Sequence, residues 1–413
     1  MSTRTIDGVA PNYTLAGMKP SEIRSLFPGA SARVQLNTAG IGLGSRPVTQ
    51  AIDRFLATVE RDPAAAYRGG DHERARAAAA TLIGAQPGQI ALIPATTLAL
   101  NLAADAVQLG RGDNVVTCDL EFMSVIVPWL EKCRATGAEL RVAKHVGGRI
   151  LPDAVIAQID GATRAVVLSA VQWTNGFRLD LAPIGAECRR RGIPFIVDAI
   201  QQVGALPLDV ESCFIDYLAC GGHKWLCSPS AMGFAYSSDG FAARYRPPLS
   251  YSPTSKPPGD GWIASWTDRD YDPIQTYDLN EDASRFEYGV HHAALAAAGL
   301  AAALDIFNSV GMADIAAFNL GLADRAAKGL AELDFEILTP LGADERSAIT
   351  VFRAGPSTAD DLALRDELQR QKIDVAVRYT SGVGGVRVAT HFYNNEADVD
   401  RMLDVAKTWK NTR

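Results

Sequence analysis

The stretch Gly221-Gly222-His223-Lys224-Trp225 decides how the rest of this 413-residue chain is interpreted. It follows the apolar run Tyr217 to Ala219 and sets one lysine behind two glycines, as expected of a loop at the end of a buried strand. An earlier apolar run, Phe195 to Val197, is followed directly by Asp198. Because an unpaired charge in an apolar environment is costly, this aspartate needs a cationic partner.

A lysine amine and a buried carboxylate are together what pyridoxal 5'-phosphate (PLP) requires of a protein. Its aldehyde forms a Schiff base with a lysine, and its protonated ring nitrogen pairs with a carboxylate. We therefore predict that Lys224 holds PLP covalently and that Asp198 contacts the ring nitrogen. Taken singly, a surface lysine and a helix N-cap would explain the two residues, so the prediction depends on their combination.

Composition and charge restrict the classes of protein to consider. The chain is 47% hydrophobic and 21% charged, which is ordinary for a globular protein, and its length predicts one large and one smaller domain. The net charge of -7 and the lack of a dense basic block argue against nucleic-acid binding. The sequence shows neither a signal peptide nor an apolar run of roughly 20 residues, so we expect a cytoplasmic protein without a membrane partner.

The cysteines and histidines give no sign of a metal site. Six cysteines are scattered without paired spacing, which predicts free thiols in a reducing compartment. The six histidines form no His-Glu-x-x-His arrangement. We therefore expect that the protein binds no metal.

From about residue 75 to 237, apolar strand-like runs alternate with amphipathic helical stretches. This alternation predicts an α/β fold with a mostly parallel sheet, whose ligands collect at the carboxyl ends of the strands. We expect an N-terminal segment, 1–35, that packs against the smaller domain, a large cofactor-binding domain over 36–288, and a small C-terminal α+β domain over 289–413. In the latter, strands are predicted at Ala348 to Phe352 and Val386 to Ala389, with a helix from Ala359 to Gln371.

Further candidate site residues follow several of these strands. Thr96 and Thr97 lie between a strand and a helix start, where hydroxyls and free amides can bind a phosphate. Phe122 lies where an aromatic ring can stack on a pyridine ring. Asn175 is placed to donate to the phenolic oxygen of the cofactor, and Gln201 to reach the same oxygen or the imine side of the ring.

The remaining candidate is an arginine in the predicted small domain. Arg387 is the one charged residue in an otherwise apolar strand, and a planar guanidinium binds a substrate carboxylate through two hydrogen bonds. Trp173, Tyr67 and Arg68 are weaker candidates for shaping the substrate pocket, because packing or surface roles would explain them equally well.

In order and spacing these motifs resemble a class V aminotransferase, in the cysteine desulfurase and isopenicillin-N epimerase branch of the fold-type-I PLP enzymes. The resemblance covers essentially the whole chain. The segments that carry it are Leu36 to Gly40, Thr96-Thr97, Glu121 to Trp129, Asp198 to Gln201, Gly221 to Lys224, Arg285 to Gly289 and Val386 to Asn394.

The resemblance implies a role for each matched residue. Lys224 would be the Schiff-base lysine, with His223 and Thr97 near the phosphate and Asp198 on the ring nitrogen. Phe122 would stack on the ring, and Arg387 would bind the substrate carboxylate. Besides these roles, we name Asn37 and Trp173 as further candidates for substrate binding. The resemblance also implies a homodimer, in which the segment near Val290 reaches the other subunit's phosphate.

Three departures from the family pattern limit what can be carried over. Phe122 stands where a histidine is common and can stack but cannot relay a proton. Gly221 stands where a hydroxyl residue often holds the phosphate, so that contact must be lost or supplied elsewhere. The loop Thr380 to Gly385 contains no cysteine, although a desulfurase needs a mobile thiolate there; Cys220 and Cys227 are expected to lie on the rigid core side instead.

We therefore predict a PLP-dependent enzyme that acts at the α-carbon of a small amino acid through an external aldimine, with Lys224 as general base and class V aminotransferase-type activity as the leading assignment. A β-eliminating carbon-sulfur lyase on a cysteine derivative and an amino-acid epimerase are the alternatives. A PLP-binding protein without turnover is a remote one. A nicotinamide-dependent dehydrogenase is disfavoured, because Gly40 to Gly44 lacks the Gly-x-Gly-x-x-Gly spacing.

Overall fold

The computed structural model of the protein describes residues 17–247, 250, 252–289 and 293–412. Its helices are α1 (Pro20–Ile23), α2 (Gly29–Ala32), α3 (Arg46–Arg61), α4 (Pro63–Tyr67), α5 (Asp71–Ile83), α6 (Thr96–Ala106), α7 (Met123–Thr136), α8 (Pro152–Ile156), α9 (Leu181–Arg191), α10 (Asp239–Arg244), α11 (Trp262–Thr267), α12 (Ala294–Val310), α13 (Met312–Glu332), α14 (Thr358–Arg370) and α15 (Glu396–Asn411). Its strands are β1 (Val34–Gln35), β2 (Ile90–Ile93), β3 (Asn114–Cys118), β4 (Glu139–Ala143), β5 (Thr163–Ser169), β6 (Phe195–Asp198), β7 (Tyr217–Gly221), β8 (Gly233–Ser237), β9 (Glu336–Ile337), β10 (Ile349–Arg353), β11 (Ile373–Asp374), β12 (Ala376–Thr380) and β13 (Val383–Ala389).

Seven strands form the large sheet in the order β2-β8-β7-β6-β5-β3-β4. All pairings among β7, β6, β5, β3 and β4 are parallel, whereas β8 runs antiparallel to both of its neighbours, β2 and β7. The predicted α/β fold with a mostly parallel sheet is confirmed. Since the parallel strands point the same way, the residues that follow β5, β6 and β7 meet at one edge of the sheet.

Side chains of the large sheet alternate between two apolar cores. In β5, Val166 and Leu168 belong to one cluster of buried residues, while Ala165 and Val167 belong to another. Successive side chains of a strand point to opposite faces, so this division means that both faces of the sheet are covered. A sheet buried on both faces explains why its strands are continuous apolar runs in the sequence.

The C-terminal part contains a second, four-stranded antiparallel sheet in the order β12-β13-β10-β9. The predicted strands near Ala348 and Val386 correspond to β10 and β13, and the predicted helix corresponds to α14. Strand β12 was not anticipated from the sequence; it pairs with β13 to form a hairpin whose turn contains Ser381 and Gly382. This hairpin carries Arg387 and, as described below, a second arginine.

Residues before position 36 contact the C-terminal part of the chain. Strand β1 pairs in parallel with β11, and the Arg24 guanidinium forms an ion pair with Asp398, with Nη1 and Oδ2 2.6 Å apart. Residues 1–16 of the predicted N-terminal segment lie outside the described residues. The domain boundaries at 35/36 and 288/289 stay predictions.

The alanine-rich helix α12 is packed inside the structure, where it contacts α3 and α5. Within residues 17–247, 250, 252–289 and 293–412, none of the helices alone has the length and apolar composition for crossing a membrane; α12 and α13 meet those criteria only as a pair, bent by 86°.

Candidate active site

A cavity of about 330 Å³ lies between the carboxyl edge of the large sheet and the β12-β13 hairpin. That volume is within the range of small-molecule binding sites. Most of the predicted site residues line it; the full lining is Ala39, Gly40, Ala95, Thr96, Thr97, Phe122, Ser124, Trp173, Asp198, Ile200, Gln201, His223, Lys224, Arg378 and Arg387. The fold therefore brings together groups that are up to 348 positions apart in sequence, counted from Ala39 to Arg387.

Lys224 lies three residues after the end of β7, at the floor of the cavity. The turn before it is tight: a Cβ on Gly222 would lie 2.7 Å from the Met232 carbonyl oxygen, so only glycine fits there without a shift. Burial lowers the pKa of Lys224 to about 8, and the Asp198 carboxylate limits this decrease. A lysine with such a pKa has an appreciable unprotonated fraction near neutral pH, as a nucleophile or a base requires.

Asp198 is the last residue of β6 and is 4% exposed. Its Oδ1 accepts a hydrogen bond from the Ile200 amide at 2.9 Å. Burial raises the pKa of this carboxyl to about 7, even though that hydrogen bond and the charge of Lys224 both act to lower it. None of the ion pairs among the described residues involves Asp198, so its charged form has no cation in contact.

The phosphate end of the predicted site is formed where α6 begins. Thr96 Oγ1 accepts a hydrogen bond from the Gly221 amide at 2.8 Å, and the Thr97 and Ser124 hydroxyl oxygens are 2.8 Å apart. The first amides of an α-helix have no partner within the helix and favour anions. Three hydroxyls and a helix N-terminus thus face one end of the cavity.

Gly221 has a structural reason to be glycine. A Cβ built at this position would lie 2.9 Å from Thr96 Oγ1 and 3.2 Å from Ile200 Cδ1. The Thr96 hydroxyl therefore occupies the space that a side chain at position 221 would need. A hydroxyl group is thus present beside position 221, although it belongs to a neighbouring threonine.

Two aromatic rings form one side of the cavity. Phe122, just before α7, meets Trp173 edge to face, with ring centroids 5.1 Å apart, and Lys224 Nζ lies 5.9 Å from the centroid of the Phe122 ring. The Trp173 indole N-H is buried and has no hydrogen-bond partner among the described residues. This side offers apolar contact to a planar ring but no acid or base.

Arg387 is 2% exposed and lies in β13 at the opposite end of the cavity. Its Nη1 donates to the Trp173 carbonyl at 2.7 Å and its Nη2 to Asn37 Oδ1 at 3.3 Å, while Nε has no partner in the described structure. Burial, reinforced by the positive charge of Arg378, lowers the pKa of Arg387 to about 9. No ion pair among the described residues includes it, so this buried guanidinium has room for an external carboxylate.

Three independent features of the cavity are suited to binding PLP. Asp198 is a buried carboxyl without a cation, which a protonated pyridine nitrogen would supply. Lys224 is a buried amine with a lowered pKa in the same cavity. The hydroxyls of Thr96 and Thr97 and the start of α6 offer hydrogen-bond donors suited to a phosphate.

The side chains of two amide residues that were predicted to contact the cofactor form hydrogen bonds with the protein backbone. Asn175 is fully buried and does not line the cavity: its Nδ2 donates to the Gly148 carbonyl at 2.7 Å and its Oδ1 accepts from the Phe177 amide at 3.1 Å. Both polar groups of Asn175 thus have partners within the fold, and its contact with the phenolic oxygen stays a prediction. Gln201 does line the cavity, but its Nε2 donates to Ala39 O at 3.1 Å, which leaves one amide hydrogen for a ligand.

Three substrate-side predictions are also revised by the geometry. Asn37 does not line the cavity; its Oδ1 accepts the hydrogen bond from the Arg387 guanidinium. Tyr67 and Arg68 do not line the cavity of Lys224 but a separate groove that also includes Trp262. Tyr67 is the last residue of α4, and its ring packs edge to face against Phe55 of α3, with centroids 5.7 Å apart.

Sequence reasoning missed two residues of the cavity, Ser124 and Arg378. Ser124 is the second residue of α7 and became visible only through its contact with Thr97. Arg378 belongs to β12 and is opposite Gly385 in the hairpin. The turn residues Ser381 and Gly382 between two alternating runs were the available signal for that hairpin.

No cysteine lines this cavity in the part of the chain that the structure describes. Cys220 and Cys227 are buried, and burial raises the pKa of both thiols well above its usual range. A desulfurase would need a mobile thiol in the turn ahead of Arg387, and in this chain that turn contains Ser381. The prediction that both cysteines lie in the rigid core agrees with their burial.

Comparisons with known proteins give a consistent result. The family model "Aminotransferase class-V" matches residues 48–402. A probable cysteine desulfurase of Pyrococcus abyssi is 27% identical over 94% of this chain and 96% of its own length. The isopenicillin N epimerase of Amycolatopsis lactamdurans is 31% identical over 81% of this chain and 83% of its own length. The apo cysteine desulfurase structure from Thermococcus onnurineus superposes with a TM-score of 0.84 at 24% identity, covering 96% of this chain and all of that one, and shows the same fold.

Proposed function

Because the chain belongs to the aminotransferase class-V family of PLP enzymes, we propose that it is an aminotransferase-type enzyme acting at the α-carbon of a small amino acid. One observation carries the proposal: the Lys224 amine, the buried Asp198 carboxyl and the Arg387 guanidinium line a single cavity. These are the groups needed to hold the cofactor, to move a proton and to bind a substrate carboxylate.

The residues that would hold PLP lie on strand ends and at the start of a helix. Lys224 would attach it covalently, Asp198 would contact its ring nitrogen, and Phe122 would pack on its ring. Thr96, Thr97 and His223 would bind its phosphate. When bound, PLP supplies an electron sink for the pair released as a bond at the substrate α-carbon breaks.

The chain's own residues account for the proton transfer. Arg387 would bind the substrate carboxylate through two hydrogen bonds, which sets the α-carbon relative to Lys224. The ε-amine of Lys224, whose pKa burial lowers to about 8, would remove the α-proton. Asp198 would remain ionised while it faces a cation, because an opposite charge in contact favours the carboxylate form.

The described walls of the cavity help to rank the possible reactions. Sulfur transfer to an enzyme thiol is not supported, since no cysteine lines this cavity among the described residues. Epimerisation by two opposed bases is poorly supported, because Phe122 and Trp173 carry no basic group. β-Elimination remains the second candidate: it needs no enzyme thiol, and a single base at Lys224 suffices for it.

We also propose that the protein is a cytoplasmic homodimer. The apolar side chains of Met123, Val127 and Leu130 are 68%, 50% and 47% exposed on α7. Their spacing puts them on one helical face, and Ser124 on the same helix lines the cavity. The segment near Val290, proposed to reach the other subunit, lies outside the described residues. Light scattering on the purified protein will give the oligomeric state directly.

The experiment that tests the function follows the fate of the amino group. The purified holoenzyme is mixed with single amino acids, including β-substituted cysteine derivatives, and 2-oxo acid and ammonia are measured. Transamination gives a 2-oxo acid without ammonia and continues only when a second 2-oxo acid is supplied as acceptor. If β-substituted substrates give pyruvate and ammonia without an acceptor, the reaction is β-elimination and the aminotransferase assignment is wrong. A PLP-containing protein that turns over none of the amino acids would favour a binding role.

A further inference from the structure

A fully buried histidine, His391, connects the two parts of the molecule next to the candidate lysine. Its Nε2 lies 2.7 Å from the carbonyl oxygen of Trp225, the residue that follows Lys224. His391 itself follows Arg387 by four positions, just after β13. One hydrogen bond thus joins the loop of the candidate Schiff-base lysine to the strand that carries the candidate carboxylate anchor.

The contacts of His391 define its chemical form. The Asn319 side-chain Nδ2 donates to the Ala205 carbonyl at 3.1 Å and lies 3.3 Å from His391 Nδ1. With an amide donor facing Nδ1, the ring hydrogen is on Nε2, which then donates to the Trp225 carbonyl. Burial lowers the pKa of His391 to about 3, so the ring stays neutral and keeps this arrangement at ordinary pH.

Trp225 is held at both of its polar groups. Besides the bond from His391 to its carbonyl, its indole Nε1 donates to Gln201 Oε1 at 2.8 Å. Gln201 in turn donates to Ala39 O, and both Gln201 and Ala39 line the cavity. Because Trp225 is also fully buried, it has little freedom to move, and neither has the backbone of Lys224 directly before it.

We propose that His391 is a positioning residue that fixes Lys224 relative to Arg387 by holding the Trp225 carbonyl. This inference rests on the proposed function, in which Lys224 attaches the cofactor and Arg387 binds the substrate carboxylate. His391 touches neither substrate nor cofactor, and its effect passes through the backbone at Trp225. A site held together in this way keeps its reacting groups in register although they come from two different sheets.

Two substitutions at position 391 separate the hydrogen bond from the packing. His391→Phe keeps an aromatic ring among its neighbours, including Phe392 with centroids 4.0 Å apart, but removes the donor. His391→Gln puts an amide N-H close to the position of Nε2 and can restore the bond. Phe392→Leu serves as the matched control, because Phe392 is equally buried in the same segment but has no part in the hydrogen-bond chain.

The measurements use the holoenzyme and include readouts other than activity. Thermal stability is recorded for each variant, together with the absorbance and circular dichroism of the bound chromophore, which report its orientation, and with kcat and KM. We expect H391F to weaken the chromophore dichroism and to lower kcat/KM roughly tenfold or more, since small displacements of reacting groups carry costs of that order. H391Q should recover most of both, while F392L should lose stability with an unchanged chromophore signal.

The outcomes distinguish this inference from the proposed function. A wild-type protein without a PLP absorption band would refute the proposed function itself. Two results would refute only the positioning role, provided that the wild type shows the PLP absorption band. In one, H391F and F392L have the same chromophore dichroism and kcat/KM; in the other, H391Q recovers neither quantity relative to H391F. If H391F does not fold, Asn319→Leu tests the same point. It removes the amide donor that faces Nδ1 of His391, so the ring hydrogen is no longer held on Nε2, and the chromophore dichroism should weaken as in H391F but to a smaller extent. An unchanged dichroism would overturn the inference.

Discussion

The cavity has two walls that are built differently. One wall consists of residues at the carboxyl edge of the large sheet, among them Thr96, Asp198 and Lys224, which strand ends and a helix start hold in place. The other wall consists of Arg378 and Arg387 on the β12-β13 hairpin. Two hydrogen bonds of Ser381 attach the turn of this hairpin to the large-sheet region. The Ser381 hydroxyl donates to the Asp119 carbonyl at 2.7 Å, and the Ser381 carbonyl oxygen lies 3.1 Å from His145 Nε2.

From this difference we expect the two walls to have different functions. The large-sheet wall is rigid, and on it we propose the groups that hold the cofactor and move the proton. The hairpin wall consists of two strands and an exposed turn, and on it we propose the groups that bind the substrate. Substitutions on the first wall should therefore reduce kcat, whereas those on the second should mainly raise KM.

The largest effect is expected for Lys224→Ala. It removes both the covalent attachment and the proposed base, so kcat should fall by at least about 10³-fold, at the upper part of the range for general acid-base groups. Steady-state kinetics and thermal unfolding on the same preparation measure this. Full activity in a folded K224A variant would remove the central assignment.

Asp198→Asn should come next. Without the carboxylate the ring nitrogen loses its partner, and kcat should fall about 100-fold or more, comparable to the loss of one stabilising group at a developing charge. Asp216→Asn is the control, because Asp216 is a half-buried carboxyl before β7, at the opposite edge of the sheet, where its Oδ2 accepts from the Phe195 amide at 2.9 Å. Equal losses of activity in the two variants would argue for a purely structural role of Asp198.

On the hairpin wall, Arg387→Ala should raise KM about 100-fold, because truncating one partner of a buried charge pair costs several kcal/mol. Arg387→Lys keeps the charge but not the planar pair of donors, so it should recover only part of the affinity. Initial rates over a range of amino-acid concentrations give KM and kcat separately. A fall in kcat at unchanged KM would contradict the proposed division between the walls.

The pKa of Asp198 predicts a pH dependence in the cofactor-free protein. Burial raises that pKa to about 7 from its ordinary value of 3.8, so the folded state retains a proton that the unfolded state loses in this interval. Stability should therefore fall as the pH rises from about 4 to 7, by an amount on the order of 3 kcal/mol. Urea unfolding of the wild type and D198N tests this: the stability advantage of D198N should grow over the same interval, and a constant difference would contradict it.

The smallest effect is expected at the turn of the hairpin. Ser381→Ala removes the hydrogen bond to the Asp119 carbonyl, and KM should rise about two- to fivefold, as for the loss of one exposed hydrogen bond of about 0.5–1 kcal/mol. Thr380→Ala is the control, because the Thr380 hydroxyl donates to the carbonyl of its own neighbour, Tyr379, and joins no second element. A comparable rise in T380A would mean that the attachment of the turn does not matter.

Much of the large-sheet wall could be predicted from the sequence because its signals are local. A strand, its following loop and the start of the next helix are contiguous in the chain, so Lys224, Asp198 and Thr96 could each be assigned from a few neighbouring residues. The edge of a parallel sheet then brings them together with few alternatives. Asn175 shows where such local reasoning ends, because an amide in such a loop can equally serve the loop's own backbone, as its bonds to Gly148 and Phe177 show.

The sequence by itself therefore determined the fold class, the family's cofactor and the strand ends on which we propose its site, since hydrophobic periodicity and chain order specify these locally. Only the tertiary structure decided several contacts in and next to the cavity: Arg378 lines it from an unanticipated hairpin strand, Ser124 lies beside Thr97, and the Thr96 hydroxyl occupies the space beside Gly221. Outside the cavity, it also brought His391 to the carbonyl of Trp225. The physical reason is that such contacts depend on the packing of one sheet against another, and residues far apart in the chain carry no local signal of that geometry.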